Sequence, residues 1–170
     1  MMGHLRYFWG ISGVIAILAF AIFRLAPKFF TMWDYPLDII HWLALLIFVP
    51  YMAYAEGYKG FHKAFSPRVV VRANTLRHSD SWLLAILAPI FCMGFFHATR
   101  KRMITTWSLS IGIILLVVMV RFAPQPWRGI VDAGVVVGLS LGILSILFFV
   151  LKMESGHWQD MPSPDLPEPG

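Results

Sequence analysis

Long apolar runs alternate with short charged connections along most of this chain of 170 residues. A helix needs about 20 predominantly apolar residues to cross a bilayer, with about 17 as the lower limit, and the runs approach or reach that length. We therefore predict an all-α fold, a polytopic transmembrane helical bundle of about five helices. The predicted spans lie near residues 7–24, 38–56, 82–98, 103–121 and 132–151, within a transmembrane domain of residues 1–152.

The run near 82–98 is short for a span and is interrupted by Pro89. If it spans and the N-terminus is cytoplasmic, the cytoplasmic side carries eight of the fourteen Lys and Arg residues and the other side six. If it dips into the membrane and returns, the distribution is ten against four, which follows the positive-inside tendency better. A re-entrant segment needs surrounding protein to satisfy its broken backbone, and five helices offer little cover. We expect five spans, with the re-entrant topology as the alternative.

A basic segment, residues 57–80, separates the second run from the third. Ser66 and Pro67 are typical of a helix N-cap and first helical position, and polar and apolar positions then separate onto different helical faces. We predict a short amphipathic surface helix whose basic side faces the anionic headgroups of the lipid bilayer. The alternative is a cytoplasmic loop whose charges only fix topology. The residues predicted to contact anionic lipid are Lys59, Lys63, Arg68, Arg72 and Arg77.

The composition agrees with lipid as the solvent of this chain. Hydrophobic residues make up 58% and charged residues 14%, whereas a soluble domain carries about 25% charged residues. The net charge is +5, and the basic residues lie between the apolar runs. Because this placement sets the orientation of a membrane protein, we expect no nucleic-acid partner. The single cysteine, Cys92, excludes an intrachain disulfide and a cysteine-based metal site. Residues 153–170 are acidic and rich in proline, and we predict that this tail is disordered.

Three glycines at a spacing of four residues form a doubled small-xxx-small pattern in the last predicted helix: Gly134, Gly138 and Gly142. Such a glycine zipper makes a groove that another helix backbone can approach closely. The pattern predicts packing against a neighbouring helix of the same chain, or else association with a second copy or another membrane protein. It carries no catalytic meaning.

Two histidines, His41 and His97, are candidates for binding a cofactor. In the five-span topology both lie near the same membrane surface, as a bis-histidine haem b or a metal site requires. Asp38, three residues before His41, could hold its other ring nitrogen. Interfacial histidines also occur without a ligand. We expect His41 and His97 to be of this kind and to bind no cofactor and no metal.

The sequence contains no GxSxG, HExxH, Walker or Rossmann motif. Interaction surfaces are visible and reaction chemistry is not, so we expect a non-enzymatic accessory, assembly or scaffold subunit of a membrane complex. One alternative is a membrane redox protein that binds haem or metal through His41 and His97. Another is a small oligomeric transporter, which needs a polar path that no single helix provides.

Two stretches, EGYKGFHKAFSPRVVVRA and PQPWRGIVDAGVVVG, resemble segments of a group of small bacterial inner-membrane proteins. The resemblance extends from the second predicted helix through the fifth. It implies a multi-pass protein of the bacterial inner (plasma) membrane, and it implies no mechanism.

Overall fold

The computed structural model of the chain describes residues 2–79, 81–156 and 161–166. In this part the regular structure is entirely helical, which confirms the predicted all-α class. The described residues include four helices that are long and apolar enough to cross a membrane, as expected of a multi-pass membrane protein. These four are Gly3–Asp34, Ile39–His78, Arg100–Arg121 and Trp127–Glu154.

The first two of these helices are built from several consecutive segments. Helix α1, Met2–Phe30, is followed by a short 3₁₀ turn at Thr31–Asp34. The second, which we call the long helix, begins as α2, Ile39–Met52, and widens into a π-helix at Ala53–Phe65. It continues as α3, Ser66–Thr75, and ends in a 3₁₀ turn at Leu76–His78. Its 40 residues extend over roughly 55 Å, well beyond the roughly 30 Å of a bilayer core.

The predicted separate surface helix is therefore corrected, because the basic segment continues the helix before it. Ser66 has helical backbone angles instead of the extended angles of an N-cap. Pro67 follows where the π-helix gives way to α3, and a helix start tolerates its missing N–H. The apolar face of α3 is buried inside the protein. That face consists of Val69, Val70 and Ala73, and Leu76 in the turn that follows is buried with them.

The run near 82–98 contains two short helices, α4 at Trp82–Ile86 and α5 at Ala88–Met93. Leu87 interrupts the helical backbone between them, and Gly94 ends α5 with a φ of +85°. The third predicted span, near residues 82–98, is therefore not confirmed as a span. The cover that a re-entrant segment needs is present, because α5 packs against α1, where Gly10 lies beside Cys92.

Helix α7, Trp127–Glu154, packs along both α1 and the long helix. At one end of this three-helix unit, Trp127 lies against His41, with ring centres 4.8 Å apart. At the other end Arg77 forms an ion pair with Glu154. The first contact joins the N-terminal ends of the long helix and α7, and the second joins their C-terminal ends. Helix α7 therefore runs parallel to the long helix. Helix α6, Arg100–Arg121, stands to one side of this unit.

One end of the bundle, which we call the basic end, brings together Arg6, Arg68, Arg72, Arg77 and Arg102. Arg6 donates to the carbonyl oxygen of Ser79, and Arg102 lies over Gly94 after the α5 turn. This arrangement matches the re-entrant topology with its ten against four distribution of Lys and Arg residues.

Part of the tail also lies at the basic end. Met161 and Leu166 pack against the buried apolar cluster, and Met153 and Glu154 end helix α7, so the prediction of disorder is corrected for residues 153–154 and 161–166. Residues 157–160 and 167–170 of the predicted tail, together with Met1 and Asp80, lie outside the described residues.

Candidate functional site: polar groups along the long helix

The π-helical stretch Ala53–Phe65 is the least ordinary part of the backbone, since π-helices are rare and concentrate at functional sites. Two lysines on it lie over tyrosine rings five residues earlier. Lys59 Nζ is 5.1 Å from the centre of the Tyr54 ring, and Lys63 Nζ is 4.9 Å from that of Tyr58. Cation–π attraction thus holds both lysines on an exposed face.

On another side of the same stretch, His62 reaches α7. Its Nδ1 lies 2.9 Å from the hydroxyl oxygen of Ser145, and its ring stacks on that of Tyr58. A shallow groove of about 330 Å³ opens here, with Leu144 and Phe148 in its wall. The contact between His62 and Ser145 is not predicted by the sequence. No local signal connects two residues 83 positions apart.

The three zipper glycines all face the long helix. A side-chain carbon at Gly134 would lie 2.6 Å from the Phe48 ring, and one at Gly142 would lie 2.6 Å from the Phe61 ring. Gly138 faces the Cβ of Glu56. The glycine groove is therefore filled by the chain's own helix, as the intrachain interpretation requires. Self-association through this groove would need that surface to be open.

Arg72 occupies the centre of the basic end and is 1% exposed. Its Nε donates to the carbonyl oxygen of Phe91 at 2.8 Å, and its Nη1 donates to that of Pro164 at 2.8 Å. Its Nη2 donates to the carbonyl oxygens of Phe96 and His97, each at 3.1 Å. The predicted lipid contact of Arg72 is therefore corrected, because these carbonyl groups enclose its guanidinium and take up its donors.

The remaining predicted lipid-contact residues divide into two groups. Arg68 pairs with Asp165 at 3.3 Å. Arg77 pairs with Glu154 and lies over the ring of Tyr7, 3.9 Å from its centre. Lys59 and Lys63 form no ion pair with an acidic residue in the described part of the chain. Their contact with anionic lipid stays a prediction.

The structure does not bring His41 and His97 together. His41 begins the long helix, where its Nδ1 accepts a hydrogen bond from the backbone N–H of Asp38. His97 lies at the basic end, where its carbonyl oxygen accepts from Arg72. The helix between His41 and Arg72 is on the order of 40 Å long, so the two imidazoles cannot share a haem or a metal. Among the described residues, no group of three or more His, Cys, Asp or Glu side chains could hold a metal ion.

No known protein family, curated protein or solved structure matches this chain. The resemblance to small inner-membrane proteins thus stays an expectation from the sequence.

Proposed function

We propose that the protein is a non-catalytic accessory or assembly subunit of a complex in the bacterial inner membrane, and that α6 holds its partner. The observation that carries this proposal is the isolation of α6 within its own chain. Of its 22 residues, only Thr106 is buried. Helix α7, by contrast, buries ten. The inner membrane itself is a prediction from the sequence.

The main anchor of helix α6 is at the basic end; at its far end, Arg128 Nη1 donates to the carbonyl oxygen of Arg121 at 3.4 Å. At the basic end, Thr106 donates to the carbonyl oxygen of Met93 at 3.5 Å, and Trp107 Nε1 donates to that of Phe95 at 3.2 Å. Further along, the apolar side chains of α6 are exposed. The anchor fixes the direction of α6, while its second half remains open to another membrane component.

The outer face of α6 has the composition of a helix–helix contact. Ser108 and Gly112 are four residues apart and share this face. Each lies two residues, or about 200° around the helix, after one of the two more buried positions, Thr106 and Ser110. Nothing lies within 4 Å of where a side chain would begin at Gly112, in contrast to the three zipper glycines of α7, which are covered. Small residues let membrane helices approach closely, and such residues are enriched at their interfaces. The partner we propose is therefore a transmembrane helix of another protein.

The alternatives have less support. The redox alternative loses its site because its two histidines lie at opposite ends of the long helix. A transporter needs a continuous polar path. The contact between His62 and Ser145 is one polar contact next to apolar side chains such as Leu144 and Phe148, and it does not form such a path.

Purification of the native complex under mild detergent tests the proposal. Gly112→Leu places a large side chain on the outer face of α6 and should remove the co-purifying membrane protein. Val117→Phe is the matched control, because it enlarges a side chain about 140° around the same helix and should leave that protein bound. Identical partners for the wild type and Gly112→Leu would contradict the proposal.

A further inference from the structure

Two tail residues, Pro164 and Asp165, present three oxygen atoms to donors at the basic end. The carbonyl oxygen of Pro164 accepts from Arg72 Nη1 at 2.8 Å. The carbonyl oxygen of Asp165 accepts from the backbone N–H of Thr99 at 2.8 Å. Its carboxylate lies 3.3 Å from Arg68 Nε. Donors from two arginines and one main-chain group thus converge on one small volume.

The positive charge of this cluster exceeds what the contacting tail residues supply. Arg102 lies within electrostatic range of Arg68 and Asp165, so three guanidinium groups surround one carboxylate of the described tail. The Nε of Arg102 is buried and has no hydrogen-bond partner among the described residues, and the buried Nε of Arg68 pairs with Asp165 by charge without forming a hydrogen bond. A group with more negative charge and more acceptor oxygens than Asp165 would satisfy them better.

The position of the cluster indicates where such a group comes from. Thr99 occupies the N-cap position of α6 without a capping hydrogen bond from its side chain, and the N-terminus of a long helix favours an anion. Arg100, Lys101 and Arg102 immediately precede the apolar part of α6, and basic residues at that point of a span lie at headgroup level.

We propose that Arg68, Arg72, Arg102 and the N–H of Thr99 form a binding site for a phosphate group, and that residues 161–166 occupy it as a displaceable latch. The phosphate is carried by an anionic phospholipid or is free in solution. Met161 and Leu166 hold the latch by packing on the apolar cluster, so that release exposes the cationic groups and these side chains together. The site is independent of the partner surface on α6.

The latch can be followed in the full chain by the reaction of an introduced thiol. Leu166→Cys places that thiol where the closed latch half-buries it. The native Cys92 serves as the internal check on folding, because burial raises the pKa of its thiol to about 12 and keeps it unreactive. The protein is reconstituted in nanodiscs of phosphatidylglycerol or of phosphatidylcholine, and the rate of maleimide modification is measured in each.

We expect modification to be about two- to fivefold faster in phosphatidylglycerol, since the lipid replaces a partly exposed ion pair of that strength. Adding inorganic phosphate to phosphatidylcholine nanodiscs, against chloride of equal ionic strength, separates the two sources. Acceleration by phosphate identifies a soluble ligand, and acceleration by phosphatidylglycerol alone identifies the lipid. Equal rates under all of these conditions would overturn the proposal.

Arg102→Gln tests the site without removing a direct contact of the tail, and it should bring the ratio of the two rates close to one. Arg121→Gln, at the other end of the same helix, should leave the ratio unchanged. A ratio that is unchanged in both variants would overturn the proposal. If Cys92 becomes reactive in Arg102→Gln, that variant is misfolded, and Asp165→Asn is used as the test in its place. It retains every arginine, and it should raise the rate in phosphatidylcholine toward the rate in phosphatidylglycerol; an unaltered rate would overturn the proposal.

Discussion

Arg72 and Phe91 are joined twice: Nε of the guanidinium donates to the Phe91 carbonyl oxygen at 2.8 Å, and its central carbon lies 4.3 Å from the centre of the Phe91 ring. An arginine stays charged inside a protein and needs polar partners there. Carbonyl groups near the end of α5 supply those partners, because the chain turns back at Gly94. Burial of Arg72 and the return of the α4–α5 segment therefore depend on each other.

Replacing this arginine should destabilise the basic end strongly. Arg72→Leu keeps an apolar stem but leaves several buried carbonyl oxygens without donors, at a cost of roughly 3 kcal/mol or more. Arg72→Lys should be intermediate, since one ammonium group cannot reproduce the guanidinium fork. Unfolding of the detergent-solubilised protein by a second denaturing detergent measures the effect. Arg121→Leu, at the exposed far end of α6, is the control, and equal midpoints for both leucine variants would refute this role of Arg72.

The glycines differ in their tolerance of a methyl group. Gly142→Ala brings a carbon to 2.6 Å from the Phe61 ring and should cost about 1–3 kcal/mol through overpacking. Gly112→Ala meets nothing within 4 Å and should be neutral or stabilising by about 0.5–1 kcal/mol through helix propensity. The same unfolding assay compares the two. A loss of stability for Gly112→Ala equal to that for Gly142→Ala would show that the described packing does not determine the cost.

The hydrogen bond between His62 and Ser145 should appear as coupling in a double-mutant cycle. Measured couplings between polar side chains of membrane helices average about 0.6 kcal/mol and reach about 1.7 kcal/mol, and we expect a value in that range for His62→Ala with Ser145→Ala. Ser140→Ala is the control partner, because Ser140 bonds to the Val136 carbonyl within its own helix. Coupling of His62 to Ser140 as large as its coupling to Ser145 would argue against the contact.

The helical class and the position of most apolar runs could be predicted from the sequence, because run length and hydropathy are local properties. The continuity of the long helix could not. Ser66 and Pro67 have the same sequence pattern as a helix start, and only the packing of Val69 and Leu76 decides that the helix continues. The return of residues 82–98 likewise depends on cover from Gly10 in α1, about 80 positions earlier in the chain.

The candidate sites show the same division. The spacing of Gly134, Gly138 and Gly142 predicts close packing, and all three are covered. The sequence predicts that the basic segment contacts lipid, but Arg72 has a partner as distant as Pro164, 92 positions away, which no local pattern indicates. The pairing of His41 with His97 depended on the assumed number of spans, and it fails because His41 begins the long helix while His97 lies after α5 at the basic end.

Topology can be tested in the intact chain with single introduced thiols. His78→Cys and Lys101→Cys should react with a membrane-impermeant reagent from one side, and Phe122→Cys from the other, because α6 connects the basic end to the opposite end. Cys92 should stay silent, since burial raises the pKa of its thiol to about 12. Reaction of His78→Cys and Lys101→Cys from opposite sides would restore the five-span topology.

The most direct test of the account is a photocrosslinking residue placed on α6 in living cells. At position 115, which shares the outer face with Gly112, irradiation should join the chain to one other membrane protein. At position 117, on a different face, the same residue should give little or none of that product. An adduct with lipid alone, or one of twice the chain's own mass, would contradict the proposal that α6 holds a partner protein.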